Sequence, residues 1–343
     1  MKTLIKYSII ALAILALVAG YLLYRFQTRT MVPEDLKDTI IYIPTNASFE
    51  QVLDTLTRKG IVRDELAFTQ LAEYMNYRRN PMRPGRYEVQ PGWNIIQLIR
   101  HLRGGGQAPV DVVLTNERLP ENVAAKAALF LEQDSSDFMA VFQNQEFLRE
   151  LGYTQQTLIS IFIPNTYEMY WDSTPRSFLK RMKREHDAFW DRDNRREKAR
   201  QLGLSPAEVY TLASIVEKET LRDAEKTRMA GVYLNRLQRG MLLQADPTSV
   251  FATRDFDTPR VTDYHTKFDS PYNTYLYTGL PPGPIAMSSI SSIDGVLNAE
   301  NHDYLYFCAV GDGSGRHAFA ETLAGHNQNA RRYRENLRRR GLR

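Results

Sequence analysis

Apolar and polar positions alternate along this chain with two periods, and the helical one dominates. From Tyr7 to Tyr24 no charged residue occurs, and the run is rich in Ile, Leu and Ala. At about 1.5 Å per residue such a run, with its flanks, spans a hydrocarbon core of roughly 30 Å. The pattern predicts a tail at 1–6 and an uncleaved membrane anchor at 7–25. Lys2 and Lys6 precede it, and Arg25 and Arg29 follow, a slight bias toward an N-terminus in the cytoplasm. A cleaved signal peptide is the rival reading; the residues around Ala19 and Gly20 make a poor cleavage site.

Past a polar connector, Thr39–Pro44 reads as a strand and Ser48–Lys59 as a helix, with Ser48 as cap and Phe49, Val52, Leu53 and Leu56 on one face. Asp64 caps a second helix, and Gly85–Val89 reads as a strand. This β-α-α-β order makes a compact module. Trp93–Leu102 adds an amphipathic helix, and Gly104-Gly-Gly106 marks a domain boundary. Beyond it the patterns predict a strand at Val110–Thr115 and helices at Glu121–Glu132, Asp137–Glu150 and Phe178–Leu202, the last with a solvated, charge-rich face. Tyr304–Val310 and His317–Ala320, around Gly311-Asp-Gly-Ser-Gly315, read as a hairpin. The C-terminal helix carries Arg331, Arg332, Arg334, Arg338, Arg339, Arg340 and Arg343. A frayed solvated end is the plain reading; contact with an anionic polymer or membrane surface is the sharper one.

One helix, from Pro206 to about Leu221, stands apart. Ser205 as N-cap, Pro206 as first residue and Glu208 as N3 form a capping box, with Leu204 and Val209 at the staple positions. Val209, Leu212, Ala213, Val216 and Thr220 share one face. Glu217 and Glu219 border it on opposite edges, and Lys218 points to solvent. Residues two apart on a helix cannot face one bound molecule as a pair. One glutamate is then a working acid, held proton-bearing by partial desolvation, and the other structural; alternatively both merely pair with cations.

Composition narrows the chemistry. Hydrophobic residues make up 43% and charged residues 24%, an ordinary globular balance. The excess of 44 basic over 40 acidic residues, a net +4, is too mild to imply nucleic acid. The single cysteine, Cys308, lies in an apolar strand pattern, so no internal disulfide or cysteine metal cluster forms. The six histidines are scattered without ligand spacing; His317 and Glu321, four apart, read as a hydrogen-bonded pair. Neither a metal nor a cofactor is called for. Ser314 lacks the glycine frame of a nucleophile elbow.

Two loops offer polar groups to a ligand. Gln244, Asp246 and Thr248 stand together in Leu243-Gln-Ala-Asp-Pro-Thr248, which could equally cap a helix. Tyr272, Asn273 and Tyr275 lie in Ser270-Pro-Tyr-Asn-Thr-Tyr275, followed by Gly279-Leu-Pro-Pro-Gly-Pro284. Tyrosine faces and hydroxyls suit sugars; a surface loop packed on its own tyrosines is the alternative.

Leu212-Ala-Ser-Ile-Val-Glu-Lys-Glu-Thr220, both loops, Ile163-Pro-Asn-Thr-Tyr167, His317-Ala-Phe and Leu323-Ala-Gly-His-Asn327 together resemble the MltG/YceG-like family of endolytic murein transglycosylases. The resemblance covers nearly the whole chain past the anchor. It departs at Asn165, where the family commonly has Asp. It implies an α+β chain: a transmembrane helix, a small LysM-like module at 39–104 and a larger mixed α/β catalytic domain at 105–343. It maps the catalytic acid onto Glu217, with a pKa raised to roughly 6–7, and leaves Glu219, Gln244, Asp246, Thr248, Tyr272, Asn273 and Tyr275 as substrate-binding residues. The implied reaction cuts nascent peptidoglycan between N-acetylmuramic acid and N-acetylglucosamine, leaves a 1,6-anhydro end and terminates the strand. The catalytic domain would stand outside the cytoplasm at the inner membrane, with peptidoglycan synthases as partners. A silent glycan-binding scaffold and a hydrolytic muramidase are the competing readings.

Overall fold

The computed structural model describes residues 2–28 and 30–342, and in the first helix the side chains of 7, 9–18, 20, 21 and 24. The flanking charges Lys2, Lys6, Arg25 and Arg29, and Arg343 at the far end, lie outside the described side chains. Two units emerge. The first comprises residues 1–111, 130–132 and 168–173; the second comprises 112–129, 133–167 and 174–343.

In the first unit, helix α1 (Lys2–Thr28) occupies the place expected of the anchor. Among the described residues, no helix is long and apolar enough to cross a membrane. Strand β1 (Ile40–Ile43), helices α2 (Phe49–Arg58) and α3 (Glu65–Tyr74), strand β2 (Gly85–Glu88) and helix α4 (Ile95–Gly104) follow, so the β-α-α-β order is found. β1 and β2 pair antiparallel, from Ile40 opposite Glu88 to Ile43 opposite Gly85. Helix α2 starts where Ser48 Oγ accepts from Gln51 N at 3.3 Å and Gln51 Oε1 accepts from Ser48 N at 2.8 Å, a reciprocal cap. Phe49, Phe68 and Tyr77 form a buried ring cluster with centroids 6.2–6.3 Å apart. The two later segments join this unit through Glu132, whose carboxylate accepts from Thr45 N at 2.6 Å, and Trp171, whose ring lies 5.0 Å from Tyr42.

The second unit, which takes the larger parts of the strands at 110–114 and 165–169, is mostly helical. Strand β3 (Val110–Leu114) leads to α5 (Pro120–Ala128), α6 (Ser135–Phe142) and α7 (Gln145–Glu150). Strand β4 (Asn165–Met169), α8 (Pro175–Asp191) and α9 (Arg195–Gln201) come next, then α10 (Pro206–Glu219) and α11 (Asp223–Gln238). The chain closes with α12 (Asp246–Thr253), α13 (Asp263–Thr266), α14 (Ile290–Leu297), strands β5 (Tyr306–Ala309) and β6 (His317–Ala320), and α15 (Leu323–Arg339). β3 pairs with β4, and β5 with β6, antiparallel from Tyr306 opposite Ala320 to Ala309 opposite His317.

Two predicted helices divide. The 137–150 stretch breaks because Asn144 Oδ1 accepts from Phe147 N at 2.9 Å and starts α7. The 178–202 stretch breaks where Asp193 and Asn194 take left-handed backbone, both at φ 57°. Its charges are not all on a solvated face: Arg195 is buried, donates to both Asp294 oxygens at 2.8 and 3.0 Å, and lies 4.0 Å over the Phe189 ring.

Helix α10 forms the centre of this unit. Ser205 caps it as expected, but burial is broader than one face: every residue from Val209 to Val216 is buried. Tyr233 and Met229 of α11, Ile293 of α14 and Trp190 of α8 belong to the same core. Ser214 Oγ accepts from Ile285 N at 3.0 Å, and Tyr210 Oη accepts from Ser288 N at 3.1 Å, which fixes the 285–289 segment against the helix.

Candidate functional site

Helix α10 ends two residues earlier than the pattern predicts. Thr220 turns to extended backbone (φ −141°, ψ 137°), and Glu219 is the last helical residue. The two glutamates therefore meet opposite ends of helix dipoles.

Glu217 points to the start of α14. Its Oε2 accepts from Ser289 N at 3.3 Å, from the Ser289 and Ser292 hydroxyls, and from Lys226 Nζ at 3.4 Å. Its Oε1 accepts from Asn116 Nδ2 at 2.9 Å. Burial pushes this carboxyl up, but the Ser289 and Ser292 hydrogen bonds and the Lys226 ammonium outweigh burial, and its pKa falls below the ordinary glutamate value. A carboxylate at a helix N-terminus, fed by that many donors, stays charged. Lys226 is itself buried and bound to Ser289, Ser291 and Asp223. The arrangement bolts α10, α11 and α14 together.

Glu219 has the reverse surroundings. Burial is the main cause that drives its pKa up to about 7, and the Asp246 charge adds to it; a hydrogen bond from Tyr233 and the Arg236 charge oppose the rise. Tyr233 Oη donates to Glu219 Oε1 at 2.8 Å. The carbonyl end of α10, where Glu219 sits, disfavours a negative charge further. The raised pKa expected at Glu217 is thus found at Glu219, and that of Glu217 is lowered. The reason is the packing partner: serine hydroxyls and a lysine for one, an aromatic and an acid for the other.

Glu219 also faces open space. It lines a cleft of about 430 Å³ with Gln244, Asp246, Tyr275, Tyr306 and His326. A second cleft, about 250 Å³, contains Glu219 and Asp246 again, with Arg118, Lys218, Phe251 and Phe256. A third, about 260 Å³, shares Arg118 and Phe251 with the second and runs on to Tyr272, Gln143 and Arg254. Glu219 and Asp246 thus stand where the first cleft meets the second. Among the described residues, Glu217 lines none of the three.

The other candidates divide. Gln244 takes left-handed backbone (φ 49°) and is exposed in the cleft. Asp246 opens α12 and accepts from the Tyr275 hydroxyl. Tyr272 packs at a tilt against Phe251, ring centroids 4.8 Å apart, in the third cleft. Thr248 and Asn273 line none of the three clefts. Thr248 is fully buried, donates to Ala245 O at 2.7 Å and meets Thr274 Oγ1 at 2.8 Å. Asn273, also fully buried, donates to the carbonyls of His265, Thr266 and Phe268 at 3.1, 3.1 and 2.8 Å, and accepts from Tyr275 N at 3.1 Å. Both short polar residues are consumed in shaping the loops that carry their neighbours. His317 pairs with Glu225, not with Glu321, at 2.9 Å.

Sequence reading missed Arg118, Lys218, Tyr233 and Arg236. Lys218 does not point away to solvent; it is half-buried in the second cleft. Tyr233 and Arg236, three apart on α11, share a helix face, and that spacing was the one available signal. Arg236 is buried, donates to the carbonyls of Leu305 and Leu243 at 2.7 and 2.8 Å, and lines the first cleft.

The YceG-like family model matches residues 41–332. A protein of Bacillus subtilis (strain 168) called an endolytic murein transglycosylase is 28% identical over 337 residues, 92% of this chain and 91% of its own length. A Streptococcus pneumoniae (serotype 2, strain D39) protein with the same name is 27% identical over 323 residues; the match spans 84% of this chain but 58% of that protein. A crystal structure of a YceG-like protein from Listeria monocytogenes superposes with a TM-score of 0.56 at 26% identity, covering 84% of this chain and 97% of that one.

Proposed function

The chain belongs to the YceG-like family, and from that premise we propose that it is a peptidoglycan lytic transglycosylase with Glu219 as its acid. The observation that carries the assignment is a half-buried carboxyl with a pKa near 7, located where two clefts meet. The names of the relatives support the substrate class.

Glu219 starts protonated and gives its proton to the oxygen that bridges C1 of a muramyl residue to the next N-acetylglucosamine. The C1–O bond breaks and leaves positive charge at C1. The new carboxylate then takes the proton of the muramyl C6 hydroxyl, and O6 closes onto C1. No water is consumed, the acid is regenerated, and a 1,6-anhydro end results. A hydrolase needs a second carboxyl group to activate water or attack C1; an internal nucleophile removes that need. Tyr233 holds Glu219 in place. Asp246, at the same junction, faces the charge that develops at C1. Gln244, Tyr272 and Tyr275 provide the groove walls. Glu217 keeps the frame. Two clefts that share the acid give room for a continuing strand, which suits internal cleavage.

Anchorage is part of the proposal. The uncharged run Tyr7–Tyr24 and the exposed apolar side chains along it, Ile9, Leu12, Leu15 and Leu17 among them, support a membrane attachment at 7–25. With it, cutting would be confined to new strands near their synthases and would end strand growth. The β-α-α-β order supports a LysM-like module.

The test is mass spectrometry of glycan strands digested by the full chain. Anhydro-muramyl ends are expected. Reducing ends would make it a hydrolytic muramidase, and uncut strands would make it a binding scaffold.

A further inference from the structure

Arg118 and Lys218 stand side by side in the second cleft, next to Glu219. Both are half-buried. Among the described residues, neither has a carboxylate within ion-pair distance, whereas the buried cations Lys226 and Arg195 of the same unit do: Lys226 holds Asp223 and Glu217, and Arg195 holds Asp294. Arg118 lies 4.4 Å over the Phe256 ring. That ring stands 6.4 Å from Phe251, which packs at a tilt 4.8 Å from Tyr272. An aromatic wall therefore runs from the third cleft into the second and ends on a guanidinium whose in-plane donors are left for a ligand. Burial first, and then the Arg118 charge, depress the Lys218 ammonium, and the Glu217 charge offsets this only in part, so the two cations repel each other in the cleft. Such an arrangement is costly in the empty protein unless a ligand supplies the anion.

We propose that Arg118 and Lys218 form a carboxylate-binding subsite that recognises an acidic group carried on the muramyl residue beside the bond to be cut. The inference rests on the proposed reaction for the identity of the strand, and on the cleft alone for the chemistry. Two sources fit that chemistry: the free lactyl carboxylate of a peptide-stripped strand, or the carboxylates of an attached stem peptide. The wall of Tyr272, Phe251 and Phe256 takes sugar faces, and the two cations set which sugar occupies the position next to Glu219.

Binding and cleavage by the full chain in detergent are to be measured on three probes: peptide-bearing glycan strands, peptide-stripped strands, and N-acetylglucosamine oligomers without carboxylates. Arg118→Gln and Lys218→Gln are each expected to weaken binding of a carboxylate-bearing probe about tenfold, to raise KM with kcat nearly unchanged, and to flatten the salt dependence. Binding of the uncharged oligomer should stay the same. Loss confined to peptide-bearing strands identifies the stem peptide; loss confined to stripped strands identifies the lactyl group; loss on both means that the subsite accepts either. Equal loss on all three probes, or loss on none, overturns the proposal. If the wild type binds the acidic probes through these cations yet cuts nothing, the reaction assigned above fails and the subsite stands.

Discussion

Tyr233 Oη donates to Glu219 Oε1 at 2.8 Å, and this bond is the brake on how far the Glu219 carboxyl can rise. A phenol that donates to the charged form lowers the pKa of the acid. Tyr233→Phe removes the donor and leaves the packing. The acid should then hold its proton to higher pH, and the alkaline limb of the pH–rate profile should move up by roughly half a unit to one unit. A limb that stays in place or moves down would mean that another group titrates there.

Cleavage by the native chain should fall as pH rises through about 7, since Glu219 must carry a proton to act. Glu219→Gln should lower kcat by about 10²–10⁴ while the fold persists. Glu217→Gln should act on stability instead: charged hydrogen bonds at the start of α14 are lost, and the chain should unfold at about 2 kcal/mol less free energy. If Glu217→Gln abolishes cutting with an unchanged melting temperature and Glu219→Gln does not, the roles exchange.

The same two residues leave opposite marks on stability against pH. The folded-state pKa of Glu219 is raised, so its contribution is complete below the unfolded glutamate value and is lost as pH climbs toward about 7. Within that window the slope approaches about 1.4 kcal/mol per pH unit. Glu219→Gln should erase that slope and melt higher than the native chain above pH 7. The folded-state pKa of Glu217 is depressed, so its contribution is present above the unfolded value and lost as pH falls below it. Glu217→Gln should therefore be less sensitive to acid. Denaturant titrations at several pH values read both effects.

Gly283 lies in the proline-rich loop behind the third cleft. A Cβ built there would sit 2.0 Å from the backbone oxygen of Gln156. Backbone cannot swing aside as a side chain can, so Gly283→Ala should destabilise by about 1–3 kcal/mol and loosen the cleft wall. An unchanged melting temperature would show that the loop is freer than it stands here.

Local signals in the sequence carried much of the architecture. Ser48, Asp64 and Ser205 cap the helices they were expected to cap, since a cap depends on residues within one turn. Breaks that depend on a single side chain, at Asn144 and at Asp193–Asn194, were hidden inside good helical periodicity. At the site, α10 was legible as the bearer of the two glutamates, and Gln244, Asp246, Tyr272 and Tyr275 were picked out in the sequence and do line the clefts. The choice between Glu217 and Glu219 was not. It depends on Ser289 and Ser292, more than seventy positions away, and on Tyr233 across a helix pair. Thr248 and Asn273 looked like ligand donors because polar residues in a loop do; only the fold shows their hydrogen bonds already spent on backbone.

The first unit draws on three stretches of chain, the last of them at 168–173. A ribosome delivers residues in order, so Tyr42 waits for Trp171, and Thr45 for Glu132, until half of the polypeptide has been made. The core of the first unit, drawn from residues 31–102, emerges first, and the unit is completed only when the stretches at 130–132 and 168–173 arrive.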